Sequence, residues 1–281
     1  MNDSPIFKTG AARFLFKAGY SVWHPLPQPP PGQPLCSITA ANKGAKEVHM
    51  IGSGIMVAPG VVLTAWHVVE EFKKQVLEGS VRLLASIYQP DGSIQTWNVD
   101  SLTRIDSSDI CILTVALMSK LPEDRVIRLA TISTRIPQPD DKILFFGIRG
   151  HNGNPEGAMT FEGALINLKF EINTQFCYGK VDHVILDNDY RFKGPVIDVN
   201  VPSLQGMSGG PAYNSEGKLI GILSFGIDDH DPLKSNSYIS LLTDAALQKS
   251  FFRGWPAEWH GSPLSIRDRT TLFCGYDPYE S

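Results

Sequence analysis

The sequence predicts an all-β protein, a sandwich or barrel of short strands. Three observations carry the prediction. Short runs of β-branched and apolar residues recur between turn signals along most of the chain. The 281 residues include 25 glycines and 20 prolines, a turn-rich composition. Only one segment, Asp244 to Phe252, reads as a helix with a start and a stop, with Thr243 as N-cap and Gly254 ending it.

The elements follow in chain order. Residues 1–34 read as an N-terminal extension whose last part, Pro25-Leu-Pro-Gln-Pro-Pro-Pro-Gly-Gln-Pro34, cannot be helix or central strand. It suits a polyproline-like spacer, with a PxxP ligand as the second reading. Strands are predicted at 51–57, at 61–64 after the turn Ala58-Pro-Gly60, at 81–88 before Pro90-Asp-Gly92, at 94–99 and at 110–115. A helical turn or two is predicted over His67–Lys74. Residues 116–141 connect, with Pro122, Pro137 and Pro139. Strands resume at 142–147, 159–166, 196–201, 219–225 and 237–241.

Composition narrows the function classes. Hydrophobic residues make up 42% and charged residues 19%, the balance of a globular chain rather than a disordered one. The net charge of −4 argues against a nucleic-acid partner. No apolar run is long enough for a membrane-spanning helix. The apolar residues Phe14–Phe16 are interrupted by Lys8, Arg13 and Lys17, unlike a secretory signal, so a cytoplasmic location is expected. Cys36, Cys111, Cys177 and Cys274 have no CxxC spacing and read as free thiols, with Cys111 and Cys177 in apolar runs suited to a core. No metal site is expected. His24, His49, His151, His183, His230 and His260 lack partners at ligand spacing, and Asp228-Asp229-His230-Asp231 reads as a solvated acidic loop. Trp66 is expected to pack under the strand that precedes His67.

Three segments carry chemistry: Gly52-Ser-Gly-Ile-Met-Val-Ala-Pro-Gly-Val-Val-Leu-Thr-Ala-Trp-His67, Ser108-Asp-Ile-Cys-Ile-Leu113 and Gly206-Met-Ser-Gly-Gly-Pro211. A serine between glycines at a sharp turn presents a hydroxyl and backbone N–H groups on one concave face. Serine is a weak nucleophile without a base within hydrogen-bond reach, and histidine is the side chain half-titrated near neutrality. An aspartate can hold the second ring nitrogen.

Together the three segments resemble the trypsin/chymotrypsin-fold serine peptidases, closest to the Deg/HtrA-like protease domain, over roughly residues 45–252. The resemblance implies two six-stranded antiparallel β-barrels with a C-terminal helix. The first barrel would span 35–125 with His67 and Asp109. The second would span 126–252 with Ser208, leaving 253–281 as a tail too short for a PDZ-type module. Residues 142–147 and 160–165 would be the first two strands of the second barrel. The catalytic residues would be His67, Asp109 and Ser208, and the oxyanion hole the N–H groups of Gly206 and Ser208. The substrate pocket would be lined by Pro202, Ser203, Leu204, Gln205, Ser224, Phe225, Gly226 and Asn236. No cofactor is implied, and the partner is a protein or peptide substrate.

The sequence departs from the resemblance at Met207, which replaces the usual acid or amide before the serine, and at Val68, which replaces a cysteine. Activation by a new N-terminus pairing with that acid is therefore not expected, and Met207 is expected in an apolar slot. With no acid in 202–205, a small or medium uncharged residue is expected in the pocket. Gly226 is expected to leave room for substrate to pair as an added strand. The reading is a serine endopeptidase, with latency until an activating or regulatory protein partner assembles the site as one form of it. The rival is a protease-like binding or regulatory module without activity as isolated. An esterase using the same residues is a third.

Overall fold

The computed structural model describes residues 35–42, 48–58, 60–88, 94–118, 132–149, 173–186, 193–227 and 235–243, and four two-residue strands. The first two of these, β1 (Leu15–Phe16) and β2 (Tyr20–Ser21), pair with each other. The Pro-rich run, residues 159–166, the 228–231 loop and Cys274 lie outside the described residues.

Twelve strands form two closed, six-stranded antiparallel barrels, as expected. The first contains β3 (Leu35–Asn42), β4 (Val48–Ala58), β5 (Val61–Ala65), β6 (Val81–Tyr88), β7 (Ile94–Arg104) and β8 (Ile110–Leu117), in the order β3-β4-β5-β8-β7-β6. The second contains β9 (Lys142–Arg149), β10 (Asn173–Ile185), β11 (Val196–Val199), β12 (Pro211–Tyr213), β13 (Leu219–Ile227) and β14 (Asn236–Leu241), in the order β10-β11-β14-β13-β12-β9. Closure removes the open edges that would otherwise recruit other chains.

The apolar runs explain the placement. β5 is buried at all five residues and β8 from Ile110 to Val115, so both faces of these strands are covered. Their inner residues pack with Ile38, Ile55 and Leu83 in the first core. That core also takes Phe146, Tyr213, Leu219 and Ile222 from the second barrel. Phe146 stacks on Tyr213 at 5.5 Å and tilts against Phe176 at 5.2 Å. The seam between the barrels is thus apolar and aromatic on one side. A separate cluster of Ile143, Phe145, Ile197, Val199, Leu223 and Ile239 fills the second barrel.

Between β5 and β6 the chain forms α1 (Trp66–Val69), a 3₁₀ turn (Glu70–Phe72) and α2 (Lys73–Leu77), where helical turns were predicted. Trp66 is buried in the first core, with the Lys73 and Arg104 cations over its ring at 5.7 and 5.2 Å.

Two findings differ from the sequence reading. β3, β10 and β12 were not singled out as strands; β10 pairs with β9 from Asn173↔Arg149 to Lys180↔Lys142, and the expected strand at 160–165 lies outside the described residues. The helix predicted over 244–252 does not reach its expected end. Helical backbone begins at Thr243, but Lys249–Ser250 is strand β15, paired with β16 (Leu264–Ser265). The tail, patternless in sequence, supplies that pairing partner.

Candidate active site

The first barrel brings His67 and Asp109 together. His67 sits in α1, immediately after β5, and Asp109 in the bend before β8. β5 and β8 are neighbours with Ala65 opposite Ile110, so strand pairing alone places the two residues side by side. The Asp109 carbonyl accepts from Trp66 N at 2.8 Å. Its carboxylate then holds His67 twice: Oδ1 accepts from the backbone N–H at 3.1 Å and Oδ2 lies 2.7 Å from Nδ1. With Nδ1 as donor to Oδ2, Nε2 is left as an acceptor. The His67 side chain is 43% exposed and that of Asp109 26%, so the imidazole faces solvent while its anchor is sheltered. The bend itself is fastened by Ser108 N to the Ile105 carbonyl (3.1 Å) and by Ile110 N to Ser108 Oγ (3.3 Å).

The second barrel supplies Ser208 from the loop between β11 and β12. Gly206 and Gly209 have φ of 91° and 85°, in the left-handed region that favours glycine. Gly209 N donates to the Leu223 carbonyl (2.8 Å) and Gly210 N to the Met207 carbonyl (2.9 Å). Among the described residues, no backbone carbonyl accepts from the N–H of Gly206 or Ser208. Met207 is fully buried in the second core. It is tied to Leu204 by its N–H to the Leu204 carbonyl (3.1 Å) and by Leu204 N to its sulfur (3.3 Å).

A residue not singled out as functional joins the two halves. Ser53, fully buried on β4, donates its N–H to the Ser208 carbonyl at 2.8 Å and its hydroxyl to the Gly206 carbonyl at 2.9 Å. The same hydroxyl accepts from Ile148 N at 2.8 Å, and the Ser53 carbonyl accepts from Thr64 Oγ1 at 2.7 Å. One side chain of the first barrel therefore fixes both the serine loop and β9. The only sequence signal was the pair of small residues Gly52 and Gly54 around a strand serine.

The expected pocket residues divide. Pro202 and Ser224 are buried, Ser203, Leu204, Phe225 and Asn236 half-buried, and Gln205 and Gly226 exposed. The Pro202 carbonyl lies 3.5 Å from Cys177 Sγ, and the Val201 carbonyl accepts from Ser237 Oγ at 2.6 Å, so the base segment is pinned to β10 and β14. Ser224 Oγ is 2.7 Å from Ser240 Oγ. A register shift in β13 between Leu223 and Phe225 turns Phe225 outward, onto Tyr238 at 4.8 Å. A Cβ on Gly226 would meet Ser203 Oγ, which would have to turn aside. Asn236 Nδ2 donates to Asp198 Oδ2 at 2.9 Å.

The three described thiols are inert by burial. Desolvation pushes Cys177 up to about 12 and Cys111 also to about 12, and drives Cys36 up as well.

A closed double barrel with a carboxylate-held imidazole on the first barrel suits a peptidase domain. The chain belongs to the trypsin-like peptidase domain family, whose profile matches residues 52–222, more than half of its length. Comparison with curated protein sequences gives no match. Among solved structures the chain is similar to the crystal structure of Deg5 (TM-score 0.51, 16% identity, 78% of this chain and 88% of that one). It is also similar to the protease domain of MamO from Magnetospirillum magneticum in its apo form (TM-score 0.50, 15% identity, 78% and 96%). At these identities the likeness is one of fold. No helix among the described residues is long and apolar enough to cross a membrane.

Proposed function

We propose that the chain is a serine endopeptidase in which Ser208 attacks a peptide carbonyl, His67 takes its proton through Nε2, and Asp109 stabilises the imidazolium. The observation that carries this is the double grip of Asp109 on His67, which fixes tautomer and ring orientation together. The tetrahedral oxyanion is received by the N–H groups of Gly206 and Ser208. One such donor contributes on the order of 3 kcal/mol to the transition state. Collapse expels the amine, which takes the proton from His67, and leaves an ester on Ser208 Oγ. Water activated by the same imidazole then releases the acid and restores the serine.

The substrate is a protein or peptide, no cofactor is required, and the location is cytoplasmic, in keeping with the free thiols of Cys36, Cys111 and Cys177 among the described residues. A second form of the same reading keeps the enzyme latent until a partner assembles the site, with residues 1–34 as one candidate restraint.

Intact-mass analysis after treatment with a fluorophosphonate tests the reading. One adduct on the wild type and none on Ser208→Ala is expected, and Asp109→Asn is expected to slow labelling by on the order of 10³-fold or more. A folded wild type that takes no adduct with or without residues 1–34 would favour the binding-module reading.

A further inference from the structure

The outer face of the second barrel contains a carboxylate that the chemistry above does not use. Along β11, Ile197 and Val199 point into the core, so Asp198 between them points outward. An outward aspartate on a barrel is ordinarily wet, yet Asp198 is only 7% exposed. Val196, on the same face, packs with Tyr238, Phe225 and Ile185, and Asn236 of β14 lies against the Asp198 carboxyl.

The hydrogen bonds of this pair are one donor short. Asn236 Nδ2 donates to Asp198 Oδ2 at 2.9 Å. Asp198 Oδ1 and Asn236 Oδ1 are both buried, and neither has a partner among the described residues. While the carboxyl is ionised both are acceptors only, so neither can satisfy the other, a costly arrangement. Turning the amide over leaves the count unchanged, because one acceptor still faces another. A single proton on the carboxyl removes the deficit. A carboxylic acid and a primary amide are complementary, each giving one hydrogen and accepting one.

The neighbouring charges permit that proton. β10, on one side of β11, brings Asp182 and His183; β14, on the other, brings Asn236 and Tyr238 and no charged side chain. Burial raises the Asp198 pKa and Asp182 adds to the rise, while the Asn236 bond and His183 oppose it. His183 Nδ1 is 3.7 Å from Oδ2, but its side chain is 77% exposed and its charge is screened by water. The pair also has a strategic place. Asn236 is opposite Ile227, and Ser237 opposite Gly226, so it ties β11 to the end of β14 that backs the expected substrate wall.

We propose that Asp198 and Asn236 share a proton, the carboxyl O–H donating to Asn236 Oδ1 while Asn236 Nδ2 donates to Oδ2, and that loss of this proton is a switch that loosens the cleft-side end of β14. On ionisation the proton passes to water, one of the two bonds is lost, and two acceptors are left facing each other. The wall is firm at low pH and slackens as pH rises through the folded pKa of Asp198. As regulation of the cleft this rests on the peptidase reading; the shared proton does not.

The test is a pH titration by NMR of the full chain labelled with ¹³C-aspartate and ¹⁵N-asparagine. The Asp198 Cγ resonance should titrate above the ordinary carboxylate range, about pH 4. Both side-chain amide proton resonances of Asn236 should move with the same midpoint. In Asp198→Asn, where an amide pair keeps both bonds at every pH, those resonances should lose that midpoint. The KM of the wild type for a peptide, relative to that of Asp198→Asn, should rise about fivefold across the midpoint, as for one net hydrogen bond, with the kcat ratio unchanged. An Asp198 carboxyl that ionises within the ordinary range, or Asn236 amide protons indifferent to it, overturns the shared proton. A flat KM ratio overturns the switch. The co-titration is read on the wild type, so it decides even if Asp198→Asn does not fold. Fluorophosphonate labelling separates the two ideas. Labelling without co-titration removes the pair and leaves the peptidase; co-titration without labelling removes the peptidase and leaves the pair.

Discussion

The two barrels hold their shares of the site by different means. In the first, His67 and Asp109 follow from regular pairing of β5 with β8, and their contacts are completed within one domain. In the second, Ser208 rides on a loop whose conformation depends on left-handed glycines and on Ser53, a residue of the other barrel. His67 is held by its own sheet, whereas Ser208 is held by docking. Damage to the seam should therefore reach Ser208 before it reaches His67.

The sharpest way to break this contrast is Gly209→Ala. The residue sits at φ 85°, and a Cβ there would overlap the Ser53 carbonyl oxygen and Thr64 Oγ1. A loss of about 4 kcal/mol or more is expected, read by urea denaturation, together with loss of fluorophosphonate labelling. Next is Ser53→Ala, which strips partners from Ile148 N and the Gly206 carbonyl while leaving the backbone bond to Ser208. It should cost about 2 kcal/mol and slow labelling of Ser208, while the His67 imidazole resonances keep their chemical shifts. A variant that labels at the wild-type rate would show that the loop holds itself.

A smaller effect separates the barrels by charge. Because the folded Asp198 carboxyl binds its proton more tightly than the unfolded one, ionising it opposes folding. Its contribution to stability therefore improves as pH falls through its raised folded pKa and levels off below the ordinary carboxylate range, about pH 4. Asp198→Asn should be more stable than wild type at neutral pH, with the advantage shrinking on acidification; equal urea midpoints at both pH values would refute this. The smallest expected effect is a null one. Cys36, Cys111 and Cys177, buried in both barrels, should react with a thiol reagent only after unfolding.

What the sequence revealed follows the same division. The strands beneath His67 and Asp109 were legible as apolar runs ended by turns, but His67, Asp109 and Ser208 were singled out only because their three segments together resemble a known family. Ser53 was not, because its role consists of contacts with residues 95 and 153 positions away. β10 was missed because Asn173–Ile185 mixes polar and apolar residues without clean alternation; Tyr178 points out and Gly179 leaves room for Val199 and Val201. Asp198 read as an ordinary outward residue of a strand, since its burial comes from β14. The predicted helix over 244–252 had a start and a stop signal, yet Lys249 and Ser250 pair with a strand contributed by the tail.

The Ser53 bonds also impose an order in time. A ribosome makes the first barrel, with its imidazole and carboxylate, well before residue 208 exists. The serine loop acquires its shape only when the later barrel closes onto a serine made much earlier. A nascent or truncated chain thus has His67 and Asp109 in place with no Ser208 beside them. Under the proposed function, hydrolytic capacity arrives with the final docking step, which protects the chain and its neighbours during synthesis.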